Sequence, residues 1–127
     1  MTASGATDED HGRRAVVFKI CSRQDWDAAA ARGTYAGSAD DQRDGFIHFS
    51  ARHQLAGTAA KHFRGKTGLV LVAVPADALG SSLRWEPSRG GDLFPHLYGE
   101  LATAAAIAVV PLPLDAEGIP AVPKELV

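Results

Sequence analysis

The sequence is poor in several features that would narrow its function, beginning with cysteine. Its single cysteine, Cys21, cannot form a disulfide within the chain, so a reducing cytoplasm is the expected location. No run approaches the roughly 20 apolar residues that span a bilayer. The amino terminus is acidic, whereas a secretory signal would be basic and then apolar. We therefore expect neither membrane insertion nor export.

A strong charge of either sign is also missing. Lys and Arg total 13 against 15 for Asp and Glu, which gives a formal net charge of −2. Proteins that bind nucleic acid or an anionic membrane do so through clustered Lys and Arg, and this balance provides no such surface. A small-molecule ligand is therefore the expected partner.

The common nucleotide-binding and metal-binding motifs are absent. The sequence contains no Gly-x-Gly-x-x-Gly, no phosphate-binding P-loop and no His-Glu-x-x-His. His53 and His62 lie nine residues apart, which is not the i, i+4 spacing of a helical metal pair. His48 and His96 would need a third ligand that no motif supplies. No metal is therefore expected.

Residues 1–14 are small, polar and charged without periodicity, which predicts a disordered leader. The hydrophobic pattern of residues 15–127 predicts a single α+β domain. Ser22 is placed to cap a first helix that Gly33 ends, and Ser50 to cap a second helix over residues 51–63. Residues 34–43 are predicted to form a connecting loop. Strands are predicted at residues 15–20, 45–49, 69–74, 83–86, 94–99 and 107–110.

Three of these strands carry pairs of polar residues, and alternation along a strand places each pair on one face. The pairs are His48 with Ser50, Arg84 with Glu86, and His96 with Tyr98. On the first of these strands the opposite face is apolar, which predicts a core position for Phe49. We predict that the two histidines approach one another across a shared cleft.

Each polar residue also has a structural interpretation. A single strand histidine is more often hydrogen-bonded structure than a catalyst, and Ser50 could serve as a helix cap. Arg84 and Glu86 could form an exposed ion pair, and Tyr98 could anchor a turn. Together, however, these groups supply donors, acceptors and an aromatic face, which is the inventory that binds a polar, ring-bearing ligand.

Short motifs spread over residues 15–110 resemble a bacterial family of domains of unknown function, DUF952. The two longest are DGFIHFS at residues 44–50 and FPHLYG at residues 94–99. The shorter ones are FKI at residues 18–20, DW at residues 25–26, Gly33-x-Tyr35 and WE at residues 85–86. The two long motifs together are specific, and the resemblance covers nearly the whole predicted domain.

The resemblance implies a fold similar to the ADP-ribosyltransferases, with a split, bent β-sheet, two or three short helices, and NAD as the cofactor in a central cleft. The position that offers a histidine to the ribose of NAD corresponds to His48. The late glutamate of those transferases has no clear match, and Glu86 is the carboxylate best placed to substitute. The implied catalytic residues are His48, Glu86 and His96, and the implied ligand-binding residues are Tyr35, Ser50, Arg84 and Tyr98.

Two other interpretations stay open at this point. The RNA 2′-phosphotransferases, which share that fold, use Arg and His, and Arg84 with His48 and His96 is similar to their inventory. The near-neutral charge argues against a polyanionic RNA substrate. The second alternative is a non-enzymatic module that binds a small metabolite through the same residues, so the sequence does not decide whether the protein is an enzyme.

Overall fold

The computed structural model describes residues 15–125, and the predicted leader at residues 1–14 lies outside them. Helices and strands are mixed in the first half of the described residues, and five strands follow the last helix. The helices are α1 (Arg23–Arg32), α2 (Ala39–Asp44) and α3 (Leu55–His62). The strands are β1 (Val16–Ser22), β2 (Thr34–Tyr35), β3 (Ile47–His48), β4 (Leu69–Pro75), β5 (Leu83–Pro87), β6 (Leu93–Leu97), β7 (Leu101–Ala102) and β8 (Ala108–Leu112). No helix within residues 15–125 is both long enough and apolar enough to cross a membrane.

The strands form two three-stranded antiparallel sheets and one short pair. The first sheet has the order β1-β4-β8, the second has the order β3-β6-β5, and β2 pairs with β7. The two larger sheets are joined where Phe18 and Ser50 exchange backbone hydrogen bonds of 2.9 and 2.8 Å. Beyond this bridge the outer edge of β1 is left open toward the second sheet, and the cleft described below forms along that edge.

Strand β4 separates two hydrophobic cores because its side chains alternate between its faces. Val70, Val72 and Val74 pack into one core, together with Phe49 and Trp26. Leu69, Leu71 and Ala73 pack into the other, against Leu55 and Ala59 of α3. Residues 69–74 are all buried, so the prediction of a fully buried central strand is confirmed.

Helix α1 begins and ends as its capping residues predict. The Ser22 hydroxyl accepts a hydrogen bond of 3.0 Å from the backbone N–H of Asp25. Gly33 ends the helix in the left-handed conformation with φ of 95°, which a residue without a side chain adopts at no steric cost. The predicted helix boundaries are therefore confirmed here.

The prediction of a loop over residues 34–43 is wrong. This segment contains β2 and the six-residue helix α2, which is closed by a reciprocal capping box between Ser38 and Asp41. The helix extends to Asp44, and Gly45 ends it with φ of 88°. The strand predicted over residues 45–49 is therefore reduced to Ile47–His48. The helix is too short to show apolar periodicity, so the pattern missed it.

The prediction that Ser50 caps the second helix is also wrong. A short 3₁₀ turn, Arg52–Gln54, precedes α3, and the Gln54 side chain accepts a hydrogen bond of 2.9 Å from the Ala51 backbone N–H. The Ser50 hydroxyl instead lies 3.0 Å from the Thr58 hydroxyl. Ser50 is buried at the start of the cleft rather than committed to a helix end.

Replacing Phe49 by Ala should lower the free energy of unfolding by about 3–5 kcal/mol, because the ring is 2% exposed and its loss leaves a core cavity. Chemical denaturation measures this change. Ile107→Ala is the matched control, since that side chain is 52% exposed and its truncation should cost less than about 1 kcal/mol. A control as damaging as Phe49→Ala would contradict the assignment of the core.

Candidate functional site

A cleft of about 550 Å³ lies along the open edge of β1. Its walls come from β1, α2, β3 with the residues that follow it, α3 with the turn after it, and β6. A cleft of this size is in the range that encloses small-molecule ligands. The polar side chains on its walls are Lys19, Ser22, Asp25, Ser38, Asp40, Asp41, Arg43, Asp44, His48, Ser50, Thr58, His62, Lys66, Ser88 and His96.

The Asp41 carboxylate is the most heavily hydrogen-bonded group on these walls. Its Oδ2 accepts from the Lys19 ammonium at 2.7 Å and from the Ser38 backbone N–H at 2.9 Å. Its Oδ1 accepts from the backbone N–H of His48 at 3.1 Å and faces the His48 ring nitrogen Nδ1 at 2.6 Å. The single side chain of Asp41 thus ties together β1, α2 and β3.

The environment of Asp41 favours its charged form. Burial alone would raise the pKa of the carboxyl, but the hydrogen bond from His48 and the charge of Lys19 outweigh it and hold the pKa well below its usual range. The side chains of Lys19 and Asp41 are only 6% and 2% exposed. Lys19 shares its face of β1 with the core residues Val17 and Cys21, which explains why its ammonium is enclosed.

The backbone before α2 must pass close to Asp41, and Gly37 permits this approach. A Cβ atom at position 37 would lie 2.7 Å from the Asp41 Cβ and 3.3 Å from the Ile47 Cγ1. The residue also has φ of 103°, a conformation that L side chains rarely adopt. Gly37 therefore allows the carboxylate to sit directly beside the chain that caps its helix.

The His48 ring lies between two carboxylates. Nδ1 faces Asp41, and Nε2 lies 3.0 Å from Oδ2 of Asp44, which ends α2. The carboxylates are acceptors, so both contacts can be hydrogen bonds at once only when both ring nitrogens carry protons. The Arg43 side chain bonds Asp44 at 3.1 Å and lowers the pKa of that carboxyl. His48 thereby has a carboxylate within hydrogen-bonding distance of each ring nitrogen.

The His96 ring is oriented by a different carboxylate. Its Nδ1 lies 2.8 Å from Oε1 of Glu86, and the same oxygen accepts from the Tyr98 hydroxyl at 2.8 Å. These hydrogen bonds, first that from His96, lower the pKa of Glu86. The Arg84 guanidinium lies 4.8 Å from the centre of the Tyr98 ring. The polar pairs predicted on β5 and β6 therefore meet in one cluster.

The two histidines meet because β3 and β6 pair with His48 opposite His96. Their ring centres are 5.6 Å apart and both rings line the cleft, so the predicted proximity is confirmed, but the histidines lie side by side on one wall and not across the cleft. Phe46 lies against both rings, at 4.6 Å from that of His48 and in a stacked arrangement at 4.1 Å from that of His96. The phenyl ring restricts the orientation of both imidazoles.

The predicted site residues divide between the cleft wall and its support. His48, Ser50 and His96 line the cleft. Glu86, Arg84 and Tyr98 do not, and Glu86 contacts the cleft through His96 instead. The role implied for Glu86, a carboxylate facing the sugar of a ligand, is therefore not supported by its location.

The role implied for Tyr35 is corrected by its burial. Its ring is 2% exposed and packs 5.8 Å from that of Trp26 in the first core, so it cannot stack on a ligand in the cleft. Neighbouring Cys21 is buried as expected, and desolvation raises the pKa of its thiol to about 11. Such a thiol stays protonated at neutral pH and is a poor nucleophile.

Four residues of the site were not predicted: Lys19, Asp41, Asp44 and Phe46. Lys19 lies within an apolar strand pattern, which gives no sign of a buried ammonium. Asp41 has one local signal, because Ser38-x-x-Asp41 has the spacing of a capping box.

No group of three or more His, Cys, Asp and Glu side chains suited to a metal ion occurs in residues 15–125.

Comparison with known proteins identifies relatives of established structure. The family described as "Protein of unknown function (DUF952)" matches residues 20–109. The crystal structure of protein CC0527 from Caulobacter crescentus is 53% identical, with a TM-score of 0.82, and the match covers 84% of this chain and 93% of that one. The solution NMR structure of CC0527 gives 53% identity and a TM-score of 0.76, covering 83% and 90%. None of the curated proteins matches the chain.

Replacing Asp41 by Asn should lower the free energy of unfolding by about 3–5 kcal/mol, because it leaves the enclosed Lys19 ammonium without its anion. Urea denaturation measures the change. Asp40→Asn is the matched control on the same helix, since that side chain is 75% exposed and contacts only Arg43 among the ion pairs of the described residues. The control should change stability little. Equally small losses in both variants would contradict the central role of Asp41.

The stability of the protein should also depend on the charge of Asp41. Its pKa in the folded protein is lowered, whereas in the unfolded chain it is about 4. Its contribution is therefore present above about pH 4 and is lost as the pH falls further. Unfolding free energies measured from pH 7 to pH 2 should converge for the wild type and Asp41→Asn as the pH falls. Parallel curves would contradict this prediction, and Asp40→Asn should follow the wild type.

Proposed function

The chain belongs to the DUF952 family, whose name states no activity. From the cleft itself, we propose that the protein binds NAD or a related nucleotide there. The family resemblance carried by the motifs at residues 44–50 and 94–99 implies an ADP-ribosyltransferase-like arrangement. In that arrangement the cofactor would lie in the cleft between the two sheets. The observation that carries it is a pair of imidazoles on one wall, each oriented through Nδ1 by a carboxylate.

The composition of the walls matches the parts of a dinucleotide. Hydroxyl, imidazole and ammonium groups are suited to ribose and phosphate oxygens. Apolar ring faces are suited to the flat bases, and the half-buried ring of Phe63 lies on the cleft wall. Polar groups that converge on a cleft beside apolar side chains are typical of sites for small ligands and cofactors.

The charges of the cleft favour a ligand of low net charge. Lys19 is neutralised by Asp41, and Arg43 lies 3.1 Å from both Asp40 and Asp44. The other charged side chains on the walls are Lys66 and Asp25, so three Lys and Arg side chains face four Asp side chains. This balance offers no clustered cations to a polyphosphate or an RNA strand, whose binding depends on them. In NAD the cationic nicotinamide ring offsets part of the diphosphate charge. NAD therefore fits this cleft better than NADP, which carries a further phosphate.

A non-enzymatic binding module is the second candidate, and one observation favours it. Cleavage between nicotinamide and ribose develops positive charge on the sugar, which a carboxylate beside it would stabilise. Glu86 is not on the cleft wall, and the Asp41 carboxylate already accepts four hydrogen bonds. Asp44 also lies on the cleft wall beside His48, but it is engaged by Arg43 and His48.

NAD at saturating concentration should raise the melting temperature by several degrees, because a ligand at 100 times its dissociation constant stabilises the folded state by about 2.7 kcal/mol. NADP and ADP-ribose, tested in parallel, should give smaller shifts. In calorimetry His96→Gln should weaken NAD binding by about 10-fold or more. The control His53→Gln should bind like the wild type, because His53 does not line the cleft. No shift with any of the three nucleotides would contradict the proposal.

The release of nicotinamide distinguishes the two candidate functions. Wild-type protein incubated with NAD would be sampled over hours, and free nicotinamide would be quantified by chromatography. Steady release that is lost in His96→Gln and retained in His53→Gln would establish turnover in this cleft. Binding of NAD without release would establish the binding module.

A further inference from the structure

We propose that His96 is a proton acceptor in the cleft, which takes a proton at Nε2 from a hydroxyl group of the bound ligand. Glu86 and Tyr98 are positioning residues that act through the ring. The inference depends on the proposed function only for the presence of a ligand, and it assigns Glu86 a role different from contact with the sugar.

The Nδ1 side of the ring is fixed by hydrogen bonds. Oε1 of Glu86 lies 2.8 Å from Nδ1 and also accepts from the Tyr98 hydroxyl. The lowered pKa of Glu86 means that its carboxylate is charged at neutral pH and can only accept. The proton of a neutral His96 must therefore lie on Nδ1, which leaves the lone pair on Nε2.

The Nε2 side of the ring is open to the cleft. The His96 side chain is 6% exposed and lines the cleft. Within residues 15–125 the hydrogen bonds and ion pairs of His96 involve Nδ1 alone. A side-chain nitrogen that was fully enclosed and had no hydrogen-bond partner would be an unsatisfied buried group, and among these residues Tyr35 Oη is the one such atom. Nε2 of His96 has no partner and is not such an atom, so it is not fully enclosed and can accept a hydrogen bond from a ligand.

His48 cannot take this role, although it lies beside His96. Both of its ring nitrogens face carboxylates, Asp41 on one side and Asp44 on the other. Phe46 stacks on the His96 ring at an interplanar angle of 24° and limits its rotation. The neighbouring imidazoles thus differ in their hydrogen-bond partners. Both nitrogens of His48 face carboxylates, whereas Nε2 of His96 is left to accept from a ligand.

The proton transfer involves only the hydroxyl group of the ligand and Nε2 of His96. The O–H bond of the ligand breaks, an N–H bond forms at Nε2, and the electron pair stays on the ligand oxygen. The ring then carries a positive charge 2.8 Å from the Glu86 carboxylate, which stabilises it. A carboxylate that orients an imidazole and stabilises its charged form assists a general base without touching the substrate.

The tautomer of His96 can be measured by NMR on ¹⁵N-labelled protein without any ligand. The expected wild-type spectrum at pH 8 shows a protonated Nδ1 and an unprotonated Nε2. Glu86→Ala should lose the Nδ1–H signal through rapid exchange with water, whereas the control Glu100→Ala, which removes an exposed carboxylate, should keep it. A wild-type ring protonated at Nε2 would overturn the proposal, and this result does not require a variant to fold.

Titration with NAD provides the second measurement on the same sample. If the ligand donates a hydroxyl to His96, the Nε2 resonance should shift as NAD saturates the protein, and the Nδ1 resonance should move less. Bound NAD that leaves Nε2 unchanged would overturn the acceptor role. If NAD does not bind, the proposed function fails, but the ligand-free tautomer still decides whether His96 presents an acceptor.

Discussion

The ion pair between Lys19 and Asp41 is the interaction on which the arrangement of the cleft depends. Both charges are enclosed, and each would be costly without the other. The carboxylate is satisfied only when β1, the cap of α2 and β3 are all in place, because these elements supply its four donors. A buried network of this kind specifies one arrangement of the surrounding chain, since any alternative would leave a buried charge unpaired.

The same network explains how such short elements can hold a site. Strand β3 contains two residues and α2 contains six, and neither length is stable alone. The side chain of Asp41 joins them, and Gly37 allows the backbone to pass beside it. The Phe18–Ser50 bridge then fixes the second sheet against the first. The geometry of the imidazoles therefore depends on polar contacts and on a bridge between sheets, while the two cores keep β4 in place.

The sequence predicted those parts of the site that follow strand alternation. His48 and His96 were expected to meet, Phe49 was expected in the core, and residues 69–74 were expected to form the central strand. The parts that failed depend on contacts distant in sequence. A buried lysine within an apolar strand and an aspartate in a polar stretch give no periodic signal, and Tyr35 lay in a motif whose pattern did not reveal its burial. Local patterns predicted the faces of the strands, but not which charges would be enclosed between them.

The difference between the two imidazoles comes from the number of carboxylates around each. His48 has one on either side, so both of its nitrogens are committed within the protein. His96 has one, and its second nitrogen is left to the cleft. A cross-strand histidine pair would otherwise present two similar rings. Because α2 places Asp41 and Asp44 on one ring, and β5 places Glu86 on the other, the wall has one imidazole with carboxylates at both nitrogens beside another with a carboxylate at Nδ1 alone. The chemistry of the cleft is therefore determined by the residues that support the histidines as much as by the histidines themselves.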